Sequence, residues 1–114
     1  MAKVFLISDG RTKQAPDGKH IPGVQHDFSP ANIYGEIEVL LPGNYDAMAT
    51  RPLLTILRSK LRNFCDDDFI LPSGSPILSM AACMQAARFN RGKVKVLKWD
   101  KTEKKYYPIQ LEDA

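Results

Sequence analysis

The apolar positions of the chain fall into short runs that are typical of β-strands. Residues 3–8 are apolar at almost every position, which indicates a strand covered on both faces of a sheet. Residues 93–99 alternate instead, so that Lys93, Lys95 and Trp99 are predicted to share one face. The predicted strands are residues 3–8, 35–41, 69–72, 93–99 and 105–111.

Two segments between these runs have the period of an α-helix. The first begins near Thr50, whose hydroxyl is able to cap it, and an apolar stripe continues along one side as far as Phe64. Three consecutive aspartates, residues 66–68, then end the helix. The stripe predicts an amphipathic helix that lies on a sheet.

The second helical segment, residues 75–90 with its caps, is apolar nearly all round. Ser75 as a cap and Pro76 at the first helical position form a strong start signal, and Gly92 supplies the left-handed residue that a helix end favours. A helix that is apolar on every side needs cover on every side. We therefore expect either residues 9–34 or a second subunit, in a homodimer formed through this helix, to cover it.

The order of these elements predicts the fold class. Strand, helix, strand, helix, strand in the middle of the chain favours parallel pairing through crossover helices. The polar loop at residues 100–104 makes the last two strands an antiparallel hairpin, and Pro108 places the final strand at an edge. We predict an α/β fold: one compact domain over residues 1–114, with a mixed central sheet of about five strands, two crossover helices and an antiparallel C-terminal hairpin. Residues 9–34 lack a periodic pattern and are expected to form a long ordered loop over the sheet.

Composition places the chain among ordinary folded domains. Of its 114 residues, 44% are hydrophobic and 25% are charged, which is too apolar for a disordered tail. No apolar run approaches the ~20 residues of a membrane-spanning helix, and the first residues lead straight into a strand instead of a signal peptide. Cys65 and Cys83 lack a partner-like spacing and are expected to be free thiols. These features favour a cytoplasmic protein with no membrane contact.

The turn before the second helix is a candidate anion-binding site. Free backbone N–H groups and the helix dipole favour an anion there, Ser73 and Ser75 add hydroxyl groups, and Gly74 allows close approach. Ligands of open α/β sheets bind at this position. The alternative is structural: Ser75 caps the helix, Gly74 makes a tight turn, and the spacing of a phosphate-binding loop is lacking.

The carboxy-terminal part of the chain is strongly basic. Residues 91–107 carry seven basic and two acidic side chains, a net charge of +5, whereas residues 1–46 carry four basic and six acidic ones, a net charge of −2. Lysines neutralise phosphates and interleaved aromatic rings stack on bases, a combination that suits nucleic-acid binding. The alternative is that the lysines protect an edge hairpin against aggregation. The candidate binding residues are Lys93, Lys95, Lys98, Trp99, Lys101, Lys104, Lys105 and Tyr106.

Histidines and aspartates near the amino terminus are the candidates for catalysis or metal binding. His26 beside Asp27 suggests a base with its orienting carboxylate, Asp9 follows a strand, and His20 adds a further potential ligand. No metal-binding spacing joins them, and Asp27 before Ser29 is more typical of a capped turn. We therefore predict no metal, no cofactor and no catalytic residue, and we lean against an enzyme.

Several segments together resemble small proteins of tailed bacteriophages. They are residues 26–31, 35–42, 68–76, 92–100 and 106–109, and they span most of the chain. The resemblance implies a phage product that acts in the bacterial cytoplasm, and it assigns no catalytic residue.

Three classes of function remain open at this point. The preferred one is a non-catalytic binding or regulatory protein that engages nucleic acid, or a host protein that handles nucleic acid, through the basic C-terminal hairpin. The first alternative is a phosphate-ligand-binding protein or small enzyme that uses the turn at residues 73–75. The second alternative is a component of the virion or of its assembly.

Overall fold

The computed structural model describes residues 2–8, 12–14, 20–22, 27–41 and 50–112. In chain order the elements are β1 (Lys3–Leu6), β2 (Thr12–Gln14), β3 (His20–Pro22), a 3-10 helix (Ser29–Ile33), β4 (Glu36–Val39), α1 (Thr50–Lys60), β5 (Phe69–Leu71), α2 (Pro76–Phe89), β6 (Lys93–Asp100) and β7 (Lys105–Glu112).

Five of the strands form one mixed sheet in the order β4-β1-β5-β6-β7. β1 pairs in parallel with β4 on one side and β5 on the other, and β5 pairs in parallel with β6. β7 pairs antiparallel with β6 and lies at the edge, as Pro108 predicted. The structure confirms the predicted α/β class, with its mixed five-stranded sheet, two helices and antiparallel C-terminal hairpin.

The alternating side chains of β1 separate the core into two layers. Phe5 and Ile7 belong to the layer that contains Leu57 of α1 and Leu78 of α2, so both helices cover the same face of the sheet. Val4 and its neighbours on the other face pack against Ala31, Phe28 and Tyr34 from the segment around the 3-10 helix. Burial of β1 on both faces explains why its sequence is apolar at almost every position.

The strand order has a consequence for ligand binding. From β1 the chain goes to β4 on one side, and it then crosses β1 to reach β5 on the other side. The connections that leave the carboxyl ends of β1 and β5 therefore diverge, which makes the crevice there the usual ligand position in open α/β sheets.

The segment 9–34 differs from the prediction of a loop without regular elements. Its described residues contain the antiparallel pair β2–β3, with Thr12 opposite Pro22, and the 3-10 helix. The equally short β5 was recognised from its apolar run, whereas β2 (TKQ) and β3 (HIP) have neither an apolar run nor the length to show a period. Residues 9–11, 15–19 and 23–26 lie outside the described part of the chain.

The first helix is shorter than its apolar stripe predicted. α1 ends at Lys60, and the next residues form a turn in which the Phe64 N–H group donates to the Leu61 carbonyl at 2.9 Å. Leu61 and Phe64 are nevertheless buried in the core. The apolar stripe therefore identified the buried residues correctly, but Leu61 and Phe64 lie in the turn after α1 and not in the helix itself.

The second helix begins and ends as the sequence predicted. The Ser75 hydroxyl caps α2 by accepting a hydrogen bond from the Leu78 N–H group at 3.5 Å. At the other end, Gly92 has a φ angle of 82° and donates to the Ala87 carbonyl at 2.7 Å.

The outer side of α2 is exposed among the described residues. Ile77, Met80 and Met84 are 62%, 57% and 71% exposed, and no described residue of the segment 9–34 lies over them. The second subunit that we expected to cover this side stays a prediction.

The C-terminal hairpin extends well beyond its neighbour. β6 and β7 pair over eight residues each, from Lys93 opposite Glu112 to Asp100 opposite Lys105. β6 pairs with the three-residue β5 only around Val96, so the distal half of the hairpin continues past the sheet. Within the described part of the chain, neither helix has the length and apolar character needed to cross a membrane.

Candidate functional site

A cleft of about 730 Å³ lies at the carboxyl edge of the parallel strands. One wall is the β5–α2 turn with Ser73 and Gly74, and the other is the projecting hairpin with Lys98 and Trp99. Asp27, which precedes the 3-10 helix, also lines the cleft. The cleft exists because β5 ends at residue 71 whereas β6 continues to residue 100.

An aromatic platform forms the hairpin wall of the cleft. The ring of Trp99 is tilted against that of Tyr106, with centroids 4.9 Å apart, and Trp99 is 39% exposed. Tyr106 is only 6% exposed, and its carbonyl accepts a hydrogen bond from the Tyr34 hydroxyl at 2.8 Å. The sequence analysis named Tyr106 as a candidate binding residue. The structure shows instead that its ring is buried and packs against Trp99, so it supports Trp99 and offers no binding surface of its own.

The structure divides the predicted basic residues into two groups. Lys98 lines the cleft, and three further exposed lysines follow it along the chain, in the hairpin turn and at the start of β7. Lys93 and Lys95 lie at the far end of β6, where the Lys95 ammonium sits 4.3 Å from the centroid of the Phe69 ring. The group at the cleft is Lys98, Lys101, Lys104 and Lys105, which we call the cleft lysines.

The serines of the β5–α2 turn are engaged in structural hydrogen bonds. The Ser73 hydroxyl accepts from the Ser8 N–H group at 3.0 Å and donates to the Ser8 carbonyl at 2.6 Å, which ties the carboxyl ends of β1 and β5 together. The Ser75 hydroxyl caps α2, and Gly74 has a φ angle of 70°. The hydroxyl groups thus hold the turn, and an anion site at these residues stays a prediction.

Asp27 also lines the cleft, just before the 3-10 helix that contacts β7. Its Oδ1 atom accepts a hydrogen bond from the Ser29 N–H group at 3.0 Å, which is the capped turn that the sequence predicted. Hydrogen bonds from the Ser29 side chain and backbone lower the pKa of Asp27. The carboxylate is therefore ionised at neutral pH.

Sequence reasoning missed Asp27 as a cleft residue. Asp27 and Trp99 line the same cleft because of the tertiary fold, and no spacing along the chain links the two positions. His26, Asp9 and the side chain of His20 lie outside the described residues, so the catalytic or metal-binding role considered for them is untouched. Among the residues that the structure does describe, no group of histidine, cysteine, aspartate or glutamate side chains is arranged to hold a metal ion.

Two further concave surfaces flank the sheet. An apolar groove of about 810 Å³ lies between α2 and the hairpin and is lined by Met80, Met84, Val96 and Leu111. A polar pocket of about 250 Å³ lies at the amino edge, around Asp66 and its neighbours. Neither surface combines an exposed aromatic ring with a cluster of lysines.

The fold is that of an α/β protein with a crevice at the carboxyl edge of its parallel strands. Residues 2–113 match the model of the family described as phage Pam3 gp32-like protein, and the chain belongs to that family. It is accordingly a phage-encoded protein, which confirms the resemblance to small phage proteins. No curated protein and no solved structure matches the chain in the corresponding comparisons.

Proposed function

We propose that this phage protein binds single-stranded nucleic acid in the host cytoplasm, with the strand lying along the carboxyl edge of the sheet. The observation that carries the proposal is that Trp99, which is 39% exposed, and Lys98 line one crevice, while the other three cleft lysines follow in the hairpin turn and at the start of β7. Stacking and backbone neutralisation are the two contributions on which single-strand binding depends.

The platform favours a single strand over a duplex. Trp99 is held by Tyr106 and offers its ring inside a concave cleft, where only an unstacked base is able to reach it. Lys98 lines the same cleft, and all four cleft lysines are exposed, so they are available to the phosphates that flank such a base.

The engaged serines favour this function over the small phosphate ligand. The hydroxyl of Ser73 already binds both backbone groups of Ser8, and that of Ser75 caps α2. Pro76 also lacks the N–H group that the first turn of α2 would otherwise offer an anion. A phosphate at this turn would therefore gain little beyond the helix dipole.

Intrinsic fluorescence tests the proposal directly, because Trp99 is the single tryptophan of the chain. A strand of about eight nucleotides, within the usual site sizes of such proteins, is expected to quench its emission on binding. The logarithm of the affinity should fall linearly with the logarithm of the salt concentration. Failure of every single strand to bind at low salt contradicts the proposal, and binding of a mononucleotide alone favours the small-ligand alternative.

Substitutions separate stacking from charge. Replacing Lys98, Lys101 and Lys104 by Gln is expected to reduce the salt slope by roughly 2, at about 0.7 per neutralised phosphate of a single strand. Trp99→Ala should weaken binding by roughly 1–3 kcal/mol and leave the salt slope unchanged. Fluorescence anisotropy of a labelled strand measures both quantities.

A second triple variant provides the matched control. Arg51, Arg58 and Arg62 are exposed on or just after α1, away from the cleft, and their replacement by Gln removes the same charge. This variant should keep most of the salt slope. Equal losses in the two triple variants would contradict a binding site at the cleft, and circular dichroism checks that each variant folds.

A further inference from the structure

We propose that the cleft prefers guanine, with Asp27 accepting hydrogen bonds from the Watson–Crick edge of the base that stacks on Trp99. This inference rests on the single-strand binding proposed above and names the base that the same site selects.

The first support is the placement of the two side chains. Asp27 and Trp99 line one cleft, although they come from the turn before the 3-10 helix and from β6. Tyr106 links them, because its ring touches Trp99 and because burial, together with the negative charge of Asp27, raises the pKa of its hydroxyl. The carboxylate is thus close enough to the aromatic platform to act on it electrostatically.

The second support is the separate origin of the charges at the cleft. The cleft lysines all belong to the hairpin, whereas the carboxylate comes from the turn before the 3-10 helix. Phosphates are attracted to the hairpin and repelled by Asp27. The strand backbone is therefore held at the hairpin, and a base that stacks on Trp99 points its edge toward Asp27.

The chemistry of the carboxylate then selects the base. An ionised carboxylate only accepts hydrogen bonds. Guanine has two adjacent donors on its Watson–Crick edge, the N1–H and the N2 amino group, and these match the two carboxylate oxygens. Adenine, cytosine and thymine each place an acceptor next to their donor, and that acceptor faces the negative charge unfavourably.

Asp27 is also held in place before a ligand arrives. The Ser29 N–H group donates to Oδ1 at 3.0 Å, and the Ser29 side chain donates a second hydrogen bond to the same carboxylate. A carboxylate that is already held in place loses little conformational entropy on binding. Its preference for one base therefore appears as a difference in affinity between bases.

The experiment measures affinity for thymidine strands of about eight nucleotides that carry a single variable base at the centre. A strand with a central guanine is expected to bind about tenfold more tightly than one with a central thymine. This factor lies near the lower end of the discrimination that a bidentate contact provides, because Asp27 is exposed. Hypoxanthine lacks the N2 amino group of guanine, and its strand should lose most of this preference.

Substitution of the carboxylate supplies the decisive comparison. Asp27→Asn keeps an oxygen for the Ser29 N–H group but removes the charge, so guanine should bind more weakly and thymine more tightly than in the wild type. Asp67→Asn removes the same charge at the opposite edge of the sheet, where Asp67 is exposed, and should leave the preference unchanged. A general folding defect lowers both affinities and does not produce this crossover.

The outcomes separate this inference from the proposed function. If no strand binds, the single-strand proposal itself is overturned. If all strands bind equally, or if the preference survives Asp27→Asn, the reading by Asp27 is wrong while strand binding stands. A uniform preference for RNA over DNA strands of the same sequence, lost in Asp27→Asn, would show that the carboxylate contacts the ribose and would also overturn the inference.

Discussion

Asp68 is a buried carboxylate that joins two distant parts of the chain. It is 5% exposed and accepts hydrogen bonds from the N–H groups of Lys3 and Cys65, each at 3.0 Å, and from the Cys65 thiol at 3.4 Å. The start of β1 is thereby fixed to the turn before β5. The third of the aspartates that the sequence identified as a helix stop is thus a structural residue.

Asp68→Ala is expected to destabilise the fold by about 1–3 kcal/mol, because it leaves two part-buried backbone donors without their acceptor. Urea unfolding measures the change in the free energy of unfolding. The neighbouring Asp67→Ala, at an exposed position, should stay within about 0.5 kcal/mol of the wild type. Equal effects of the two substitutions would show that the buried hydrogen bonds contribute nothing.

Asp66 makes stability depend on pH. The hydrogen bond from the Asn90 side chain, at 2.9 Å, lowers the pKa of Asp66, and the charges of Lys93, Arg91 and Lys95 act in the same direction. A lowered pKa means that the folded state binds the proton less readily than the unfolded chain. The stabilisation is therefore present above about pH 4 and is lost as the pH falls through the native pKa.

The test compares melting temperatures of the wild type and Asp66→Asn between about pH 3 and pH 6, on either side of the ordinary carboxyl range. The wild type should be the more stable protein at the upper end, and the difference should shrink toward the acidic end. A difference that is constant with pH would exclude a contribution from ionisation of Asp66.

At the scale of elements, β4 depends on a close approach between backbones. The Glu36 N–H group donates to the Ala2 carbonyl at 3.3 Å, just before the parallel register with β1 begins. A Cβ atom on Gly35 would lie 2.6 Å from that carbonyl oxygen and 2.8 Å from its carbon. Only a residue without a side chain fits between the two strands here.

Gly35→Ala is expected to cost about 1–3 kcal/mol, as overpacking does elsewhere, and to loosen β4 before the rest of the sheet. Hydrogen exchange should show faster amide exchange in β4 than in β6. Gly74→Ala is the comparison variant. Gly74 has a φ angle of 70°, so alanine there adds backbone strain, but the residue lies in an exposed turn away from β4. Unchanged protection of β4 in Gly35→Ala would contradict the close approach.

At the scale of the whole molecule, the apolar groove between α2 and the hairpin remains without a described partner. Its rim includes Met80 and Met84, which are more than half exposed, and Leu111, which is 48% exposed. Exposed apolar patches of this kind are commonly interaction surfaces. The prediction of a homodimer through α2 refers to this side of the molecule.

Light scattering on the purified protein measures its molecular mass in solution and so tests the predicted homodimer. The wild type is expected to show a dimer, and Met84→Lys should shift it to a monomer that stays folded by circular dichroism, because the side chain is 71% exposed in the single chain. A wild type that stays monomeric over a wide concentration range removes the homodimer.

The elements of the fold were predictable where the signal is local. The cap at Ser75, the left-handed Gly92 and the edge position of Pro108 each follow from the backbone preferences of a single residue, and the structure has all three as expected. The continuous apolar run of β1 likewise determined that this strand is buried on both faces. The short strands β2 and β3 were missed because, unlike the equally short β5, they contain no apolar run, and three residues are too few to show a period.

The cleft, in contrast, was decided by the tertiary structure. The sequence suggested Ser73 to Ser75 and the basic hairpin as two separate surfaces, but the strand order and the unequal lengths of β5 and β6 bring Gly74 and Trp99 to one crevice. The same packing buries Tyr106 beneath Trp99 and adds Asp27 from far along the chain. Local preferences determine which elements form, whereas the contacts between their ends depend on how the whole sheet buries its two faces, and no short pattern in the sequence encodes that.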